Sequence, residues 1–243
     1  MKKGILFIIT IFLFGVLVNA HEDKFDHSKF DVLLKANVDA NGMVNYNGFK
    51  NNKQFNEYLK SIENADISEL SKEEKLAFYI NAYNATVIKN VLDHRPINSP
   101  MDVKGFFNKI KFKFAGKEET LNGLEYNYIF KIEPVLCHFG LVCSGKSCPK
   151  LLPKAYEGET VYKQLEENAR VFMNDTNKNK LDRIAKVLYL SEIFKWFKDK
   201  FESRYGSLKE TAIHFMNESD ADFLKNDDVK IKYMRYNWKL NTQ

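Results

Sequence analysis

Residues 72–93 leave a chain of this kind few ways to fold. Ser71 is followed three residues later by Glu74, the capping-box spacing that opens a helix, and Leu76, Ile80, Tyr83, Val87 and Val91 recur at helical spacing. Within the stretch, residues 75–85 read K-L-A-F-Y-I-N-A-Y-N-A and offer almost no polar face. A helix apolar on nearly every side has to be enclosed by other elements, so this one is predicted to be central. Enclosure takes Asn81 and Asn84 away from water, where each amide must find hydrogen-bond partners or cost about 1–3 kcal/mol. Two roles fit these amides: clamping a neighbouring loop, or facing a pocket and orienting a substrate or catalytic group.

The first twenty residues do not belong to that folded unit. Lys2 and Lys3 precede an apolar run over residues 5–18, and Val18-Asn19-Ala20 leads into the charged His21-Glu22-Asp23. This is the three-part pattern of a secretory signal peptide cleaved after Ala20. The apolar run is shorter than the roughly 20 residues that span a bilayer. The expectation is therefore an exported protein, periplasmic or secreted. Removing 20 of the 243 residues leaves 223, enough for one substantial core. No linker interrupts residues 21–243, which read as a single domain. The net charge of +5 falls to +3 once Lys2 and Lys3 leave, and the remaining lysines are scattered among acids. No basic stripe points to nucleic acid, and no second long apolar segment points to a membrane once the signal is cleaved.

Around the central helix, residues 25–36 carry Phe25, Phe30, Leu33 and Leu34 on one helical face, and residues 53–62 space Phe55, Tyr58, Leu59 and Ile62 three and four apart. Residues 109–114 alternate lysine with Ile110, Phe112 and Phe114, a half-wet strand that Ala115-Gly116-Lys117 turns back into residues 118–121. Asn122 is expected to cap a short helix carrying Glu125. Further helices are expected over residues 160–173 and 208–216, with another opened by Ser191 and Glu192. Strands are expected over 186–190 and 229–236. Interleaved helices and strands place the chain in the α/β or α+β class.

All three cysteines of the chain lie within residues 137–149, C-H-F-G-L-V-C-S-G-K-S-C-P, together with one of its five histidines. Residues 136–142 read as a short buried strand and the Ser-Gly-Lys-Ser after it as a loop. Cysteine near histidine is the composition of a thiol nucleophile with a general base, oriented by a third polar group such as Glu125. A straight strand would hold residues five apart by about 16 Å, so His138 meets Cys143 only if the chain bends. Strand parity also sends the two to opposite faces, unless Gly140 hosts a bulge. Cys148, beyond the loop, is then as good a candidate as Cys143. A neutral core histidine is the bland alternative for His138. Cys143, Cys148 and His138 could supply three soft metal ligands, but not at the C-x2-C spacing of structural zinc sites. The phosphate-loop frame is absent as well, so neither a metal nor another cofactor is expected.

Five segments in order carry a family resemblance: residues 77–85 (A-F-Y-I-N-A-Y-N-A), 121–125 (L-N-G-L-E), 138–149 (H-F-G-L-V-C-S-G-K-S-C-P), 190–197 (L-S-E-I-F-K-W-F) and 236–241 (Y-N-W-K-L-N). They resemble the motifs of the domain of unknown function 547 family over about residues 30–241, a family with exported bacterial members and no established activity. The resemblance implies a papain- or transglutaminase-like fold, a central sheet with surrounding helices, and a thiol-dependent hydrolase or acyltransferase. Carried onto this chain, it marks Asn81, Asn84, Glu125, His138, Cys143 and Cys148 as the candidate site. Tyr79 stands where the family usually has tryptophan, and Tyr126 and Asn237 where it has histidine and aspartate. The family also usually has an arginine near the position of Cys137. Two functions follow. In the first, Cys143 (or Cys148) is the nucleophile, His138 the base, Glu125 its orienting group, and Asn81 or Asn84 a substrate-binding amide. In the second, a non-catalytic binding module holds a Cys143–Cys148 disulfide. The expected partner is an unknown small-molecule or peptide substrate.

Overall fold

The computed structural model describes residues 24–226 and 228–243. The segment read as a signal peptide lies outside the described residues. The helix that constrains the fold is α3 (Lys72–His94), with sixteen of its 23 side chains buried. Its start is fixed as the sequence dictates, because the Ser71 hydroxyl accepts from the Glu74 amide at 3.1 Å. Before it come α1 (Ser28–Asn37) and α2 (Lys53–Glu63), amphipathic helices that join through the Phe30 and Tyr58 rings, stacked 4.9 Å apart.

The class is mixed α and β, with two small sheets. Strands β1 (Lys111–Phe114) and β2 (Lys117–Thr120) form an antiparallel hairpin. The Ala115 amide at its turn donates to Ile62 at 2.8 Å and so fastens the hairpin to the end of α2. The second sheet holds β3 (Lys180–Asp182), β4 (Val187–Ser191) and β5 (Lys230–Met234), antiparallel between β3 and β4 and parallel between β4 and β5. The resemblance implies a central sheet, but α3 is the element enclosed most completely by the core.

Between the sheets the chain is helical. Helix α4 (Leu121–Leu124) runs into a π-helical stretch, Glu125–Ile129, and α5 (Phe130–Ile132). The cap of α4 is Thr120, whose hydroxyl accepts from Gly123 at 3.0 Å. Asn122 sits two positions too late to be the cap. Then come α6 (Val161–Met173), α7 (Glu192–Trp196), α8 (Lys198–Tyr205), α9 (Leu208–Phe215) and α10 (Glu218–Asn226). Among the described residues no helix is long and apolar enough to cross a membrane.

The buried strand expected over residues 136–142 is a 3-10 turn, Leu136–Phe139, followed by irregular chain. A short apolar run does not separate strand from helix by periodicity, and here side chains decide. The buried Glu133 carboxylate accepts from the Val135 and Leu136 amides at 3.0 and 2.9 Å and starts the turn. The backbone beyond it is satisfied by Asn84 and Asn168 instead of a neighbouring strand. The C-terminal tail then runs antiparallel to the cysteine loop: Lys146 donates to Lys239 at 2.8 Å and Asn241 to Ser144 at 2.8 Å.

Candidate ligand cavity and its disulfide wall

Asn81 and Asn84 play the clamping role of the two open to them. The Asn81 amide donates to the Tyr156 carbonyl at 2.8 Å and accepts from the Tyr156 amide at 3.0 Å. One turn later, Asn84 donates to the Gly140 carbonyl at 2.9 Å and accepts from the Val142 amide at 3.0 Å. Each buried amide thus grips one point of a loop with both its ends, satisfying itself and the backbone together. Neither residue lines the cavity described next.

The clamped loop turns sharply enough to bring Glu125, His138 and Cys143 to the wall of one cavity of about 410 Å³. Straight-strand spacing and parity no longer separate the histidine from the cysteine, because no strand is present. The rest of the wall is strongly aromatic. Trp196 and Trp238 stack 5.9 Å apart, and Tyr236 packs against both, with centroids 4.9 and 4.6 Å away. Phe107 approaches Trp238 from the other side at 6.2 Å. Trp196 is 46 % exposed and Met101 58 %, so the rim carries uncovered apolar surface. Neither tryptophan and not Tyr236 belonged to the expected site. The Y-N-W of residues 236–238 is visible as a motif, but its aromatic rings carry no carboxylate, imidazole or thiol to mark them as part of a site.

Burial sets the protonation of the two titratable groups. Glu125 stands at the first position of the π-helical stretch, an irregularity often found at functional sites. Desolvation raises its carboxyl to about 7, and the positive charge of Lys200 offsets this only partly. It is the sole acid of the wall, which contains no lysine or arginine. His138 is buried, held by the Pro134 carbonyl and stacked on Phe197 at 3.8 Å. Burial, with Lys200 adding to it, pushes the imidazole down to about 3, so it is neutral at any ordinary pH. Its Nε2 has no hydrogen-bond partner in the protein.

Cys143 and Cys148 are joined in a disulfide with their Cα atoms 6.2 Å apart. Cys143 faces the cavity and Cys148 is buried behind it. The Tyr236 hydroxyl reaches both sulfurs at 3.1 Å. Cys137 is the free cysteine and is fully buried, which raises its thiol well above the usual range. Among the described residues no group of three or more His, Cys, Asp or Glu side chains is placed to hold a metal ion.

Comparison with curated proteins and with solved structures returns no match. A family model does match, over residues 67–173, and it is described as "Protein of unknown function, DUF547". That segment contains α3 with its two clamping asparagines, Glu125, His138 and both bridged cysteines, whereas Trp196, Tyr236 and Trp238 come from beyond it. From Ile67 to Met173, less than half of its length, this chain is therefore similar to the DUF547 family, whose function is unknown.

Proposed function

We propose that the protein is an exported binding module that takes a small, largely aromatic molecule carrying a positive charge. The observation that carries this reading is the composition of the cavity wall: tryptophan and tyrosine rings, one carboxyl, and no lysine or arginine. Aromatic faces attract cations. The partly buried Glu125 carboxyl gives such a ligand an anionic anchor. The disulfide supports export, since such bridges persist in oxidising compartments.

The carboxyl sets the pH dependence. Glu125 is largely protonated below pH 7, and an ammonium group binds the ionised form. Affinity for phenethylammonium is expected to rise about tenfold between pH 6 and pH 8 as the ionised fraction grows. Isothermal titration at the two pH values checks this. Glu125→Gln is expected to abolish the rise, and 3-phenylpropionate, of similar shape and opposite charge, is expected to bind at least tenfold more weakly than the amine. Equal affinity for amine and carboxylate would remove the basis of the reading.

One observation favours a second function. Cys143, His138 and Glu125 line the same cavity, the composition of a thiol-dependent hydrolase or acyltransferase of papain- or transglutaminase-like type. It operates only in the reduced protein, with Cys143 as nucleophile, Cys148 as the alternative, and Asn84 holding the cysteine loop in position. Labelling of the reduced protein by an acylating thiol probe at Cys143 or Cys148, lost when both are changed to Ala, supports this function, and labelling that survives the double change contradicts it.

A further inference from the structure

The two sulfurs of the bridge occupy unlike positions. Cys143 is half-buried and lines the cavity, whereas Cys148 is 2 % exposed and faces away from it. The Tyr236 hydroxyl reaches both sulfurs at 3.1 Å, and the Cys143 amide donates to Cys148 Sγ alone at 3.1 Å, so the buried sulfur has one donor more. Neither sulfur of a disulfide carries a proton, so the tyrosine is the donor. Burial keeps its phenol protonated by raising its pKa.

From this asymmetry we infer that the bridge is an exchangeable disulfide, open to small thiols through the cavity, with Cys143 as the attacked sulfur and Cys148 as the leaving one. Exchange runs through a mixed disulfide, and its rate depends on which sulfur is accessible and how well the departing thiolate is stabilised. The thiolate of a small thiol attacks Cys143 Sγ. A sulfur–sulfur bond forms to Cys143, the Cys143–Cys148 bond breaks, and its electron pair goes to Cys148 Sγ. The new thiolate is met by the Cys143 amide and the Tyr236 hydroxyl already in place. A second molecule of thiol then attacks the mixed disulfide and releases Cys143. Two electrons have passed from two thiols to the protein, the thiols leave as their disulfide, and their two protons end on Cys143 and Cys148. The wall of the cavity is thereby a two-electron oxidant for small thiols, whichever ligand the cavity holds.

The test uses 2-mercaptoethanol, a neutral thiol, on the folded protein without denaturant. Samples quenched with acid and alkylated are mapped by mass spectrometry. The mercaptoethanol adduct is expected on Cys143, with Cys148 appearing as the free thiol. Tyr236→Phe is expected to slow reduction about tenfold through loss of one hydrogen bond to the departing thiolate. A merely loosened wall would instead speed it. An adduct on Cys148, a bridge reduced only in denaturant, or an unchanged rate in a folded Tyr236→Phe variant overturns the inference. If that variant fails to fold, the position of the adduct in the wild type decides alone.

Discussion

Asn81 and Asn84 sit three residues apart on α3 and hold two different loops by the same device, an amide bridging a peptide carbonyl and a peptide N–H. Replacing Asn84 by Ala removes two buried hydrogen bonds and strands the Gly140 carbonyl and the Val142 amide. The expected loss is about 2–4 kcal/mol, read as a shift in the urea midpoint with unchanged slope. Glu133 does comparable work for the turn before it. Its carboxylate receives two backbone amides and Arg204, which lies 2.6 Å away. Glu133→Ala is expected to cost about 3 kcal/mol, since a buried charge-assisted network is lost as a unit. Asn81 and Asn84 are legible in the sequence because a nearly all-apolar helix leaves its amides conspicuous. Glu133 is not, because one acid among many carries no local mark of burial.

At the scale of elements, the sequence speaks where one face of a periodic segment is apolar, as in α2, α6 and the β1–β2 hairpin, or where nearly every face is, as in α3. Ser71 and Ser191 are caps that the structure places as their spacing dictates. The 136–142 segment defeats the same reasoning. Seven mostly apolar residues fit a strand or a turn equally, and the choice belongs to Glu133, Asn84 and Asn168, which are distant in sequence. The cavity is hidden for a similar reason. Its tryptophans come from α7 and the C-terminal tail, and only tertiary contact brings them beside Glu125. The tail therefore has two roles, closing the cavity with Tyr236 and Trp238 and holding the cysteine loop through Lys146, Ser147 and Ser144. Deleting residues 236–243 is expected to lower Tm by roughly 10 °C and to abolish phenethylammonium binding at a temperature where the shortened protein is still folded. Calorimetry measures both.

The molecule as a whole should show a stability maximum near pH 6.5. Burial lowers His27 to about 4 and His138 to about 3 from an ordinary 6.5, and raises Glu125 to about 7 from an ordinary 4.5. Between pH 4.5 and 6.5 the unfolded chain binds two histidine protons that the folded one refuses, while the folded chain keeps one carboxyl proton that the unfolded one has lost. The balance is one extra proton on the unfolded state, so stability rises with pH across that window and falls by about 3 kcal/mol on going from 6.5 to 4.5. Between 6.5 and 7 the Glu125 contribution alone remains and reverses the slope. Urea titrations at pH 4.5, 6.5 and 8 trace the three limbs. The same carboxyl is the centre of the proposed binding site, and the chain carries two built-in reporters of it. Its two tryptophans, Trp196 and Trp238, both line the cavity. The most direct measurement is therefore tryptophan emission at pH 8 during titration with phenethylammonium. A saturable change in emission, weakened at least tenfold in Glu125→Gln, is the expected result. Emission that stays constant to millimolar ligand, or that responds identically in the variant, would contradict a cavity built to hold a cationic aromatic molecule against Glu125.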